Sequence, residues 1–200
     1  MYDESFWNER YAGTGYLYGA EPNGFLTEHW TLLSSPVLSL SEGEGRNAVF
    51  LASRGLDVLG VDISTVALEK AHRLARSRGV DIKTVLADLA TYEPDENHYG
   101  SVISISAHLP GTVRHRLYPL IERSLKPGGV MILEAYSQDQ LTRDTGGPKD
   151  PDMLMTVDKI RRELPCLEPV LLRKIEREIS EGEGHTGMGS VVQFIGRRKD

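Results

Sequence analysis

Short apolar runs alternate with helical periods along most of the chain. Val37–Leu40, Val58–Val61, Ile82–Leu86, Ser101–Ile105 and Val130–Ala135 have the length and aliphatic content of buried strands. Between them the apolar spacing changes to three and four. Ser64 can cap a helix that puts Ala67, Ala71, Leu74 and Ala75 on one face and ends at Gly79. Arg46–Arg54 reads as a helix stopped by Gly55. Val113, Leu117, Ile121 and Leu125 are in phase along another, which Pro119 should kink or divide. Lys126-Pro127-Gly128-Gly129 then reads as a turn. This strand–helix alternation predicts an α/β fold with a mostly parallel sheet.

Both ends depart from the alternation. Near the start, Trp7 and Tyr11 are spaced i, i+4 behind a candidate cap at Asp3, and Tyr16–Asn23 is turn-rich and aromatic. Asn23 can cap a helix carrying Phe25, Leu26, Trp30 and Leu33. Beyond the fifth strand lies a loop of roughly twenty residues with Thr145-Gly146-Gly147-Pro148. A loop that long in a compact domain is often a functional lid. Residues 156–164 read as helix. Two β segments, 168–179 and 190–198, close the chain and form a hairpin around residues 181–187.

There is no repeat and no low-complexity linker, and 200 residues make one domain. With 40% hydrophobic and 26% charged residues, the chain can bury a core without a covalent staple. The net charge is −6, and no basic patch suggests nucleic acid as a partner. The densest basic cluster, Lys70, Arg73, Arg76 and Arg78, has helical spacing and reads as a solvated helix face. A single cysteine, Cys166 between Pro165 and Leu167, reads as packing; it fits a reducing cytoplasm. The first residues do not form a signal-peptide pattern, and no apolar run approaches the roughly 20 residues of a membrane helix.

The chemistry begins at Ser41-Glu42-Gly43-Glu44-Gly45-Arg46-Asn47-Ala48, between the first strand and its helix. Gly43 and Gly45 permit a tight turn and close approach of a ligand. Asp62 ends the second strand and can accept hydrogen bonds from ribose hydroxyls. Asp88, after the third strand, can accept from an adenine amino group, with Ile63 and Leu89 on either side of the ring. A dinucleotide would fit the glycine spacing too. Its pyrophosphate, however, would meet Glu42 and Glu44. Those acids suit a ligand with cationic groups, such as S-adenosylmethionine.

Leu38–Gly45, Gly60-Val61-Asp62-Ile63-Ser64, Ala87-Asp88-Leu89 and Leu125–Gly129 resemble the successive motifs of class I S-adenosylmethionine-dependent methyltransferases. Gly45-Arg46-Asn47-Ala48 and the Trp7–Asn23 segment are similar to the tellurite-resistance and thiopurine-methyltransferase-like branch. The resemblance implies a Rossmann-like, mostly parallel seven-stranded sheet with a C-terminal antiparallel hairpin strand and helices on both faces. Residues 1–35 would be a lid and 36–200 the core. It implies S-adenosylmethionine as cofactor, S-adenosylhomocysteine as product, and Ser41, Glu42, Gly43, Gly45, Asn47, Asp62, Ile63, Asp88, Leu89 and Ser106 as cofactor contacts. The family's first strand carries an acid where Ser39 stands, and its loop begins with Gly where Ser41 stands. Glu42 or Glu44 can supply the missing contact.

The same resemblance puts His108, just past the fourth strand, near the transferred methyl, where it is the candidate general base. Tyr16, Tyr18, Tyr136 and His185 join it as candidate acceptor contacts. His108 and His185 with Glu181 and Glu183 match no zinc spacing, so no metal is expected. The expected activity is methyl transfer to a small acceptor, a thiol or a tellurium or selenium species among them, by a monomer or homodimer. Ser39 and Ser41 also allow a binder without turnover. A nicotinamide oxidoreductase is disfavoured by Glu42 and Glu44.

Overall fold

The computed structural model describes residues 2–182 and 184–199. Five parallel strands form most of one sheet: β1 (Val37–Leu40), β2 (Val58–Asp62), β3 (Lys83–Leu86), β4 (Tyr99–Ile105) and β5 (Leu125–Tyr136). The last two strands, β6 (Leu167–Glu181) and β7 (His185–Arg198), form a hairpin, and β7 lies antiparallel to β5. The order is β3-β2-β1-β4-β5-β7-β6. This is the expected seven-stranded Rossmann-like sheet.

Alternate residues of each central strand enter opposite cores. Val102, Met131 and Phe194 pack with α5 (Gly111–Ser124) and α6 (Val157–Glu163) on one face. Ile103, Ile132 and Ile195 pack with α2 (Gly24–His29), α3 (Arg46–Ser53) and α4 (Thr65–Ser77) on the other. Both faces are covered, which is why these strands read as continuous apolar runs. The caps are where the residue types predict them. Asn23 accepts from Leu26 N at 3.0 Å and Ser64 from Ala67 N at 3.1 Å. Asp3 caps α1 (Glu4–Arg10), a short helix that buries none of its own residues.

Four expectations change. Pro119 lies inside α5 without dividing it; Leu117, Tyr118 and Ile121 are buried against the sheet and hold the helix through the lost hydrogen bond. The Lys126–Gly129 turn lies inside β5 rather than ahead of it, since the partner of Tyr99 is Leu125 and that of Ser101 is Val130. Lys70 is buried, not solvated: its Nζ donates to Glu44 and to Gly15 O, each at 2.6 Å. Cys166 is exposed and packs into no core.

The loop after β5 is short-range structure, not open coil. A 3-10 turn at Gln138–Thr142 begins it, and a bridge between Ser137 and Met155 closes it. No helix of the described residues is long and apolar enough to cross a membrane.

Candidate active site

A cavity of about 810 Å³ opens at the carboxyl ends of the parallel strands. It is within the size range of pockets for drug-sized ligands. Its floor is the loop between β1 and α3. Gly45 caps α3 with φ of +95°, and a Cβ there would stand 2.7 Å from Ala71 of α4. Glycine is therefore required both by the backbone turn and by the helix packed beneath it.

Asp62 stands at the end of β2 with both oxygens aimed by backbone. Oδ2 accepts from Gly43 N at 2.8 Å and Oδ1 from Ser64 N at 2.9 Å. Each oxygen retains acceptor capacity for a ligand hydroxyl. Burial raises this carboxyl against those hydrogen bonds. Ile63 and Leu89 line the same part of the cavity. Asp88 is there too, exposed, with Oδ1 accepting from Ala90 N at 2.8 Å.

The two loop acids have separate jobs. Glu44 is held in a buried pair with Lys70 and also accepts from Leu17 N at 2.7 Å. It fastens the N-terminal segment to α4. Glu42 lies beside Ser39, whose hydroxyl donates to it, and its other oxygen accepts from Ala48 N at 2.9 Å. Glu42 thus puts a carboxyl next to the strand position that lacks one. Burial pushes it up to about 7.

That shift has a thermodynamic sign. Between the ordinary carboxyl value of 4.5 and about 7, the folded protein holds a proton that the unfolded chain has released. Stability should therefore fall as pH rises through that window, by about 3 kcal/mol from this group. Urea melts at pH 5 and pH 8 should show the fall, and Glu42→Gln should remove it. Equal slopes in the two proteins would refute the shift.

The roof is α1 and the segment after it. Tyr2, Phe6, Trp7, Arg10, Tyr11 and Tyr18 face the cavity. The α4 N-terminus holds α1 in place through Ser64 Oγ and Val66 N, which donate to Asn8 Oδ1 at 2.7 and 3.2 Å. Arg10 donates to Tyr18 OH at 3.1 Å. Tyr16, expected with Tyr18 over the ligand, instead packs on α4, with Lys70 Nζ 5.9 Å from its ring centre. It does not line the cavity.

The other half of the cavity is built around Tyr136. His108 stacks on it at 5.4 Å, His185 meets its edge at 5.2 Å, and Tyr18 lies 4.5 Å from His185. Tyr136 itself is buried behind the histidines, with its OH donating to Thr145 O at 3.1 Å. A Cβ on Gly147 would come 2.7 Å from the Tyr136 ring, so the loop after β5 lies directly on it. Ser106, at φ of 55°, and Asn47 also line the cavity. Asn47 Oδ1 accepts from Asn23 N at 3.0 Å.

His108 does not have the arrangement of a general base. Its Nε2 accepts from Tyr136 N at 3.0 Å, which leaves Nδ1 as the protonated nitrogen of the neutral ring. Burial, with His185 nearby, pulls its pKa down to about 3. A ring that weakly basic, with its lone pair occupied, takes up no proton near neutrality. Burial likewise holds His185 down at about 4, against the pull of Glu181. Glu183, which would have joined a two-histidine metal site, lies outside the described residues.

Sequence reasoning missed a buried charge network behind this half. Glu134 of β5 accepts from Asn23 Nδ2 at 2.7 Å, from Arg177 Nη2 at 2.5 Å and from Gln193 Nε2 at 2.7 Å. Glu181 accepts from Asn23 Nδ2 at 2.8 Å, Arg177 Nη2 at 2.8 Å and Arg46 Nη2 at 2.6 Å. The signal that could have found it is an acid inside the apolar run Val130–Ala135.

Residues 37–129 match the model of a methyltransferase domain family. A 2-heptyl-1-hydroxyquinolin-4(1H)-one methyltransferase of Mycobacteroides abscessus is 26% identical over 129 residues, covering 62% of this chain and 57% of that protein. The chain thus matches little more than half the length of this curated relative. Among solved structures, one concerned with converting a disulfide bond into a thioacetal group during echinomycin biosynthesis superposes with a TM-score of 0.77 at 19% identity, covering 98% and 92% of the two chains. TehB from Haemophilus influenzae superposes with a TM-score of 0.71 at 18% identity, covering 98% of this chain and 67% of that one. Residues 37–129 are thus similar to a methyltransferase domain family, and the chain as a whole has the fold of solved S-adenosylmethionine-dependent methyltransferases.

Proposed function

We propose that this chain transfers a methyl group from S-adenosylmethionine to a small acceptor that arrives soft or already ionised. The observation that carries the reading is Asp62, held by Gly43 N and Ser64 N at the floor of a roofed cavity. Asp62 would hold the ribose hydroxyls, Ile63 and Leu89 the adenine faces, Asp88 its amino group, and Glu42 the ammonium. When bound, the cofactor supplies an electrophilic methyl on a sulfonium, already joined to a good leaving group.

The protein's own contribution is alignment and exclusion of water. Well-oriented reactants gain about 7–11 kcal/mol over the bimolecular reaction. The α1 aromatics cover one side, and the lid loop with Gly147, Pro148 and Met153 covers the other. Tyr18, His108 and His185 would flank the acceptor. Since neither histidine is basic enough to deprotonate a hard nucleophile, the acceptor class narrows to thiolates, tellurium or selenium species, and acidic hydroxyls. Gly45-Arg46-Asn47-Ala48 supports the tellurite-resistance and thiopurine-methyltransferase-like branch, and the relative acting on a hydroxyquinolone supports a planar acceptor.

Calorimetric titration with S-adenosylhomocysteine, with NADH as control, tests the reading. Micromolar binding of the former alone is expected. Tighter NADH binding, or none of either, would overturn it. Tight cofactor binding without turnover on thiol, metalloid and phenolic acceptors would favour a non-catalytic binder, the second reading left by Ser39 and Ser41.

A further inference from the structure

We propose that Arg46 anchors a negatively charged oxygen of the methyl acceptor, which makes the acceptor a molecule with an acidic hydroxyl. The proposal rests on the methyl-transfer reading above. Arg46 is 7% exposed and lines the cavity. Its Nη2 is held by Glu181 at 2.6 Å, but its Nη1 is buried and has no hydrogen-bond partner among the described residues. Leaving a buried charged donor unpaired is costly, and such a donor is a natural place for a ligand oxygen.

The position of the guanidinium favours the acceptor over the cofactor. Arg46 starts α3 beside the glycine loop, yet its side chain reaches to Glu181 at the end of β6. That is away from Asp62 and Asp88 and toward Tyr136 and His185, although the Arg46 charge also reaches Glu42 at the cofactor's ammonium end. His185 lies close enough for the Arg46 charge to lower its basicity. Arg46 and Arg177 balance Glu134 and Glu181, so the cluster carries no surplus charge. A bound oxyanion would then gain a strong donor from Arg46 and face the sulfonium as its counter-charge.

This supplies what His108 does not. A cation within hydrogen-bond reach lowers an acid's pKa by roughly 1–3 units. The acceptor hydroxyl would lose its proton to solvent on binding. Its oxygen would then form a bond to the methyl carbon as the carbon–sulfur bond breaks. The electron pair of that bond would stay on sulfur in S-adenosylhomocysteine.

The test uses the full chain saturated with S-adenosylhomocysteine and 4-nitrophenol as an optical probe, with 4-nitrotoluene as its uncharged isostere. Wild type should bind the phenolate at least tenfold more tightly than the isostere and lower the probe's ionisation midpoint by about one unit or more. Arg46→Met should retain S-adenosylhomocysteine and lose both effects. Equal binding of the two probes by wild type would overturn the proposal, as would an Arg46→Met protein that keeps the shift. A tenfold loss of S-adenosylhomocysteine with the shift intact would assign Arg46 to the cofactor carboxylate instead. If Arg46→Met does not fold, the wild-type comparison decides, with Arg46→Lys as the second variant. If wild type does not bind S-adenosylhomocysteine, the methyl-transfer reading fails, and the same titration of the cofactor-free protein still judges Arg46.

Discussion

Glu134→Ala should cost about 3–5 kcal/mol of folding stability, the range for breaking a buried ion pair by deleting one partner. Glu134 is 2% exposed and takes hydrogen bonds from β6, from β7 and from the N-terminal segment. Without it, Arg177 keeps Glu181, but Gln193 and one bond of Asn23 lose their acceptor, and the buried cluster gains a net positive charge. The loss should appear as a lower urea midpoint with an unchanged slope. Glu134→Gln keeps the shape and one acceptor and should fall between. A loss below about 1 kcal/mol for the alanine variant would mean the network contributes little, as many ion pairs do.

Asp62→Asn should weaken S-adenosylhomocysteine binding by about a hundredfold or more. Hydrogen bonds to charged groups are worth roughly 1.5–3 kcal/mol each, and 1.4 kcal/mol is a factor of ten. The substitution removes the charge and does further harm. Both carboxylate oxygens now accept from backbone N–H groups, and an amide nitrogen in place of either would put two donors face to face. Calorimetry should show the loss of affinity while circular dichroism shows a folded protein. Affinity within threefold of wild type would remove Asp62 from the cofactor site.

The glycine loop and the strand-end acids are legible in the sequence because their signals are local. Glycine turns, a strand-end acid and a serine cap occur within a few residues of the elements they serve, and β1 and α4 lie where the pattern put them. The other half was read less well because its partners are remote in sequence. Lys70 looked like a member of a basic helix face until Glu44 appeared against it. Tyr16 has the composition of a cavity residue, but its packing on α4 is a matter of chain path. The hairpin was placed too short at 168–179 and 190–198. The part beyond those bounds, Ser180 and Glu181 with His185–Gly189, holds an acid, a serine and glycines rather than an apolar alternation, and pairing between the two strands defines it. His108 lines the cavity from its place after β4, but no local signal shows that its Nε2 faces a backbone N–H of β5.

The hairpin also sets an order of assembly. The glycine loop, Asp62 and Asp88 are joined by the pairing of β1 with β2 and β2 with β3, all within the first half of the chain. The Asn23 side chain, by contrast, bonds to residues 111 and 158 positions further on. Contacts of such long range carry a large loop-closure entropy and form late. A chain emerging from the ribosome can therefore complete the floor under Asp62 long before the wall containing Glu181 and His185 exists. Shortening the gene from its 3′ end should erode that wall first and strip Arg46 of Glu181, while Gly43 and Glu44 still have Asp62, Lys70 and Leu17.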